Sequence, residues 1–395
     1  MIKNIKVSYI YNFLMNFNIT SAIWVLYLSH KGLNLIEIGL LESIFHITGF
    51  LLEIPTGAIA DLYGRKFSII VGRIMSAVSA LLMIFSTSFF GFAISFIISA
   101  LSFNLNSGSA ESIIYDSLKS LNREGEYNKI YGHISFFIEI AQTMAILFGG
   151  ILSDVRFIYA YILAVIIDIS ALSVASYYKE PPIEREKEEK YTVIQQIKES
   201  VSVLNTKRIV LFFILLYAFI STIDATIFYY GQKHFENMDF SRTQIATIFA
   251  CNGLLSAIFA KYAYVIQNKL KVNKIIILLP IIDILALVGL AFTTGYVSIL
   301  AFTLSAIVNG FSGPIFSDYI NSFLESQHRA TILSFNSLVY SMSMIFFFPF
   351  AGFLGESLGL YKTFGIIAIA MVPIFILIVC KLKSKIHLME EGFCK

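Results

Sequence analysis

The chain has 395 residues, of which 57% are hydrophobic and 14% charged, and its mean hydropathy is +0.76. That composition lies outside the range of soluble globular proteins, so most of the surface must be solvated by lipid. The net charge of +3 is too small and too dispersed to signal a nucleic-acid partner, and Cys251, Cys380 and Cys394 have neither metal nor disulfide spacing.

Lys3 and Lys6 precede a first apolar run that is span-length and lacks a small-residue cleavage site, so it reads as a retained helix, not a secretory signal. Membrane-length runs of about 20 residues fall near 8–28, 37–61, 67–88, 91–118, 129–152 and 157–178. Six more fall near 209–231, 243–266, 273–294, 297–324, 330–354 and 361–382. Unpaired backbone polar groups are costly in hydrocarbon, so twelve runs predict twelve helices and an all-α polytopic membrane protein. With the N-terminus inside, 22 of the 29 Lys and Arg residues fall in cytoplasmic segments. Five fall outside: Lys31, Arg156, Lys233, Arg242 and Lys362. This positive-inside bias predicts that both termini are cytoplasmic.

Residues 179–208 form the one long polar segment, with 7 basic and 6 acidic residues and Pro181-Pro182 near its start. It divides the chain into bundles at 1–178 and 209–395. Ile194, Ile197, Val201 and Leu204 within it recur at helical spacing, as in an amphipathic helix on the inner membrane surface. The halves echo each other. Ser107-Gly108 answers Ser312-Gly313, and Phe148-Gly149-Gly150-Ile151-Leu152 answers Phe350-Ala351-Gly352-Phe353-Leu354. Such symmetry predicts two pseudo-symmetric six-helix bundles with a substrate site near the midplane.

Polar groups inside the bilayer mark function or helix contacts. Tyr9, Asn12, Asn16 and Thr20 form a stripe on helix 1, and Asn104, Gly108, Glu111 and Tyr115 one on helix 4. Tyr217, Ser221, Asp224 and Phe228 do so on helix 7, and Ser305, Asn309, Ser312 and Phe316 on helix 10. Asn12, Asn16, Asn104, Tyr217 and Asn309 are the cavity-lining candidates. Glu42, His46 and Glu53 share one face of helix 2. A desolvated carboxylate there could take up a proton near neutral pH. Glu53, Glu139, Asp224, His46 and Glu111 are the proton-coupling candidates. Asp168 and Asp283 are mid-span acids to which the sequence assigns no role.

Gly57-Ala58-Ile59-Ala60-Asp61-Leu62-Tyr63-Gly64-Arg65-Lys66 closes the second apolar run. Its G-x-x-x-D-x-x-G-R-K pattern resembles the loop between helices 2 and 3 of the major facilitator superfamily, where two glycines would permit a tight turn. Glu53-x-Pro55 ahead of it is similar to the variant in many bacterial drug exporters. The run Ser107 to Glu111, Tyr115-Asp116-Ser117-Leu118 and Arg329-Ala330-Thr331-x-Leu333-Ser334 are similar to segments common in bacterial efflux members. The resemblance implies that helices 1, 4, 7 and 10 line the cavity, and that Gly57, Asp61, Gly64, Arg65 and Lys66 form a gate. In it Asp61 would hold helices 2 and 11 together in the outward-facing state. Two positions depart from proton-coupled exporters. Asn104 stands where they usually carry Arg, and Ala145-Ile146 stands where Gly-Pro often precedes the paired glycines.

The sequence contains no phosphate-binding Gly-x-x-x-x-Gly-Lys-Ser/Thr loop, no zinc spacing and no Gly-x-Ser-x-Gly nucleophile turn. The expectation is therefore a non-enzymatic secondary transporter of the bacterial cytoplasmic membrane, acting as a monomer without cofactor or metal. It would export a lipophilic or amphiphilic small molecule against protons. The alternatives are proton-coupled uptake of a small polar nutrient and, further off, a membrane-embedded enzyme or a non-transporting sensor.

Overall fold

A computed structural model describes residues 1–182, 200, 202–324 and 326–392. Among them eleven helices are long and apolar enough to cross a membrane, and there is no strand. The helices of the first half are α1 (Ile2–Met15), α2 (Trp24–His30), α3 (Leu35–Tyr63), α4 (Arg65–Phe85), α5 (Phe89–Lys119), α6 (Tyr127–Val155) and α7 (Phe157–Ser176). Those of the second are α8 (Arg208–Glu236), α9 (Arg242–Lys261), α10 (Ala263–Lys269), α11 (Val272–Phe292), α12 (Gly295–Ser322), α13 (Ser326–Leu358) and α14 (Leu360–Gly392). The amphipathic stretch expected around Ile194, Ile197 and Val201 lies outside the described residues, whereas Leu204 is buried.

The first expected span is not one helix. It breaks after α1 and resumes at α2, with turns at Ser21, Ile23 and Trp24 closed on Asn18 and Thr20 carbonyls. Asn and Thr side chains offer the backbone local alternatives to a helical ladder, and here Thr20 donates to Asn18 Oδ1 at 3.1 Å. Gly149 of α6 accepts the displaced backbone: a side chain there would meet the Ile19 carbonyl at 2.1 Å. Thr20 therefore does not continue the helical stripe of Tyr9, Asn12 and Asn16.

The chain forms two compact units. The first comprises Met1–Leu33, Leu41–Lys190 and Ser241–Ala250, and the second Asn34–Leu40, Tyr191–Phe240 and Cys251–Lys395. The first turns of α3 thus pack with the second unit, and the first half of α9 packs with the first.

Inside the first unit, α4 and α5 meet through small polar residues. Ser68 donates to the Leu105 carbonyl at 2.8 Å, Ser102 to the Gly72 carbonyl at 2.8 Å, and Ser79 to the Ser95 carbonyl at 2.9 Å. Small residues let backbones approach closely where apolar burial supplies no drive between helices. An apolar core around Tyr11, Ile69, Ile113, Ile134 and Tyr178 completes the contact.

The same unit contains a buried ion pair. Arg73 of α4 donates to Asp168 Oδ1 of α7 at 3.1 Å, and Ser76 donates to Oδ2 at 2.9 Å. Asp168 therefore has a structural role, joining α4 and α7. Removing one member of a buried pair leaves a charge uncompensated and costs about 3–5 kcal/mol. Asp168→Asn should accordingly lower the melting temperature of the purified protein markedly, and the double change Arg73→Met with Asp168→Leu should recover most of the loss. Equal destabilisation by the single and double variants in thermal denaturation would show that the charges are not paired in this sense.

Candidate functional site

The motif folds around one residue. Gly57 lies within α3, in open space, so the expected two-glycine turn contracts to Gly64 alone. Gly64 has φ +102°, a conformation that side chains rarely adopt, and α4 begins at the next residue. Its missing side chain is also a steric requirement, since a Cβ would lie 2.7–2.9 Å from the Glu180 carboxylate. That carboxylate accepts from the amides of Arg65 at 2.8 Å and Lys66 at 2.9 Å, closing the start of α4. Arg65 reaches back to Asp61 at 3.4 Å and lies 3.9 Å from Asp116, and Lys66 donates to the Ser176 carbonyl at 2.8 Å. The motif is thus tied to α3, α5, α7 and the segment after it. Glu180 is a member that the sequence reading missed.

Two further helix starts have the same construction. In the first unit, Ser241 and Gln244 cap each other at the start of α9, their amide-to-side-chain bonds measuring 2.8 and 3.2 Å. Asp154, near the end of α6, accepts from the amides of Arg242 and Thr243, both at 2.9 Å. Arg242 donates to the Ser153 carbonyl at 2.5 Å and lies 3.9 Å from the Phe157 ring centroid. In the second unit, Asn34 and Glu37 cap each other at the start of α3, both bonds 2.9 Å. Glu356, near the end of α13, accepts from the Leu35 amide at 3.0 Å. Each is a capping box with an added carboxylate where the amides are unpaired and the helix dipole is positive. Gly150 and Gly352 admit the close approach. A Cβ would lie 2.2 Å from Ala246 in one case and 2.3 Å from the Leu35 carbonyl in the other.

The proton-coupling candidates divide by exposure. Glu42 and His46 face each other at 3.5 Å on one side of α3. Glu53, Glu111 and Glu139 are exposed, and within a span such carboxylates must face water-filled space, because hydrocarbon would be prohibitive. Glu111 accepts from the Tyr131 hydroxyl at 2.6 Å, beside the stacked Tyr127 and Tyr131 rings. Asp224 differs in being buried, and its neighbour is the buried Asp283 of α11.

The cavity-lining candidates are engaged with other groups. Asn12 and Asn16 donate to carbonyls one turn back on α1, at 2.8 and 2.9 Å. Asn104 bridges to the Gly49 carbonyl of α3 at 2.6 Å. Asn309 accepts from Ser256 of α9 at 2.9 Å. The Tyr217 ring stacks on Phe316, centroids 5.6 Å apart. On the second unit, Phe219 of α8 and Leu338, Met342, Phe346 and Phe350 of α13 line an apolar groove of about 510 Å³.

The acid caps of α9 and α3 should each contribute about 1 kcal/mol. Asp154→Asn should therefore raise thiol labelling of Ala246→Cys, whose position is 1% exposed, roughly five-fold. Labelling that stays at the background of the otherwise unchanged Ala246→Cys protein would show that the carboxylate does not hold the contact.

The Major Facilitator Superfamily model matches residues 7–346. The uncharacterized MFS-type transporter YxaM of Bacillus subtilis is 26% identical over 376 residues, covering 93% of each chain. Among solved structures, the nucleoside transporter NupG superposes with a TM-score of 0.83 at 13% identity, over 96% of this chain and 99% of that one. The D-xylose-proton symporter does so with a TM-score of 0.70 at 15% identity, over 94% and 96%. The chain belongs to the Major Facilitator Superfamily and is a multi-pass membrane transporter.

Proposed function

We propose that this transporter works by alternating access, driven by protons, and exports a lipophilic or amphiphilic small molecule across a bacterial cytoplasmic membrane. It acts as a monomer with both termini in the cytoplasm. The observation that carries the coupling is the set of carboxyl groups inside the spans. Glu53, Glu139 and Glu111 are exposed, Glu42 lies beside His46, and Asp224 is buried in α8. An intramembrane carboxylate costs roughly 2.5–3.5 kcal/mol on insertion scales, so its protonation would ease a change of state. The groove lined by Phe219, Phe346 and Phe350 supports an apolar cargo.

Proton-coupled uptake of a small polar solute is the second reading. It is favoured by the names of two structural neighbours, a nucleoside transporter and a D-xylose-proton symporter. The buried and part-buried amides of Asn12 and Asn16 would suit such a solute.

Proteoliposomes carrying an imposed pH gradient separate these readings when offered ethidium, uridine and D-xylose in turn. Gradient-driven movement of ethidium against the proton flow supports export. Accumulation of uridine or D-xylose with the proton flow supports uptake. No gradient-dependent flux of any of them would count against both as stated. In the same assay Asp61→Asn should cut flux by an order of magnitude or more at unchanged expression, because such contacts bias a two-state equilibrium by about 1–3 kcal/mol.

Orientation has its own test in intact cells. Cysteines placed at 184–190 should be shielded from impermeant thiol reagents, and cysteines at 31–34 should react. Labelling of the central segment from outside would reverse the assigned topology.

A further inference from the structure

Asp224 and Asp283 are two acids facing each other in the apolar interior of the second unit. They stand near the middles of α8 and α11, which pack together. Asp283 is 0% exposed and Asp224 7%. Each carboxyl has the other as its charged neighbour. Neither oxygen of Asp283, nor Oδ1 of Asp224, meets a hydrogen-bond donor.

No cation lies within reach among the described residues. The spans packed on α8 and α11 are α12, α13 and α14, and over 297–317, 332–355 and 363–379 their one titratable group is the Tyr340 phenol. On α8 itself, Tyr217 lies two turns before Asp224. Tyr230 donates to the Leu35 and Phe348 carbonyls, and His234 sits farther on, against Tyr361 and Phe364. Lys233 is committed to Glu236 at 2.7 Å, and Lys274 lies at the start of α11, more than two turns from Asp283.

Two carboxylates in contact in such surroundings cannot both be ionised, because their repulsion adds to the cost of burying each charge. A proton resolves this: the acid form of one donates to the carboxylate of the other. We infer that Asp224 and Asp283 together form a proton-binding site, holding one proton between them in one state of the carrier and two in the other, and that this pair couples transport to the proton gradient. The inference rests on the proton-driven reading above and names the site within it.

The approach to the pair is polar on one side. Tyr217 and Ser221 are hydrogen-bonded to each other one turn apart, and Asp224 follows on the same face of α8. The Tyr217 ring is stacked on Phe316 of α12, so the two hydroxyls stand between that aromatic contact and Asp224 along α8. The first unit provides a contrast. Asp168 is also buried between two spans, but Arg73 neutralises it and Ser76 donates to it, so it needs no proton.

The first test needs no transported compound. Infrared spectra of the full-length protein in lipid nanodiscs, at mildly alkaline pH, should contain a hydrogen-bonded carboxylic-acid C=O band. It should be missing from the double variant Asp224→Asn/Asp283→Asn. An unchanged band in a folded, monodisperse double variant overturns the site. The second test uses whichever of ethidium, uridine and D-xylose the wild-type protein moves. Asp283→Asn should abolish accumulation against a gradient while preserving exchange across the membrane, and Asp283→Glu should restore accumulation. Full uphill transport by Asp283→Asn overturns the coupling role even if the infrared band is present. If Asp283→Asn does not fold, Asp224→Asn is read by the same criteria. Failure of the wild-type protein to move any probe tells against the proposed function, and the infrared result still decides whether the pair holds a proton.

Discussion

The structure depends on how helix starts are closed when the partner is far away in sequence. Four amides at the start of a helix have no acceptor within it and must find one elsewhere. Here three starts are completed by a carboxylate from elsewhere: α4 by Glu180, α9 by Asp154 and α3 by Glu356. Each acid lies at or just beyond the end of another long helix, so the cap fixes where one helix ends relative to where another begins. Gly64, Gly150 and Gly352 are the matching absences of side chain. Without them the acids could not approach the amides, and helix packing at those ends would have to change.

Charge inside the spans is handled in two ways. Arg73 and Asp168 neutralise each other and tie α4 to α7, a purely structural solution whose strength lies in the cost of breaking it. In the same unit the buried Tyr178 hydroxyl donates to Ser8 at 3.1 Å. In the second unit an acid meets an acid, and no fixed countercharge is present among the described residues. A pair neutralised by an arginine has one stable charge state. A pair neutralised by a proton has two, and for that reason it suits a carrier better than a scaffold.

The fold was legible because hydrophobic length and loop charge are properties of contiguous sequence. Eleven spans and the Gly64 turn follow from such local signals. The interruption at Phe17–Ile23 was not, since a long apolar run hides it and the Ile19 carbonyl finds its space only at Gly149, on another helix. Gly57 was assigned to a turn because a motif reads as a loop, yet α3 continues through it to Tyr63. Asp168 and Asp283 had no assigned role for a related reason. Periodicity gives the face of a residue's own helix, but Arg73 and Asp224 lie on different ones. The capping acids were missed likewise, although the local half of each signal was readable: Asn34 with Glu37, and Ser241 with Gln244, stand at capping-box spacing.

The repeat carries a cap at the corresponding point of each unit. The echo between Phe148–Leu152 and Phe350–Leu354 stops two residues short of Asp154 and Glu356, because the acids differ in type and Ser153 stands opposite Gly355. Geometry restores the correspondence, since both acids cap the start of a helix through a glycine-thinned contact. The second unit even adds Tyr230, donating to the Leu35 carbonyl at 3.2 Å and to Phe348 at 3.0 Å. Both caps lie within single units, as the Arg73–Asp168 pair does. A cap is worth about 1 kcal/mol, whereas breaking the buried pair costs several times more, so the caps position helix ends that the ion pair would lock.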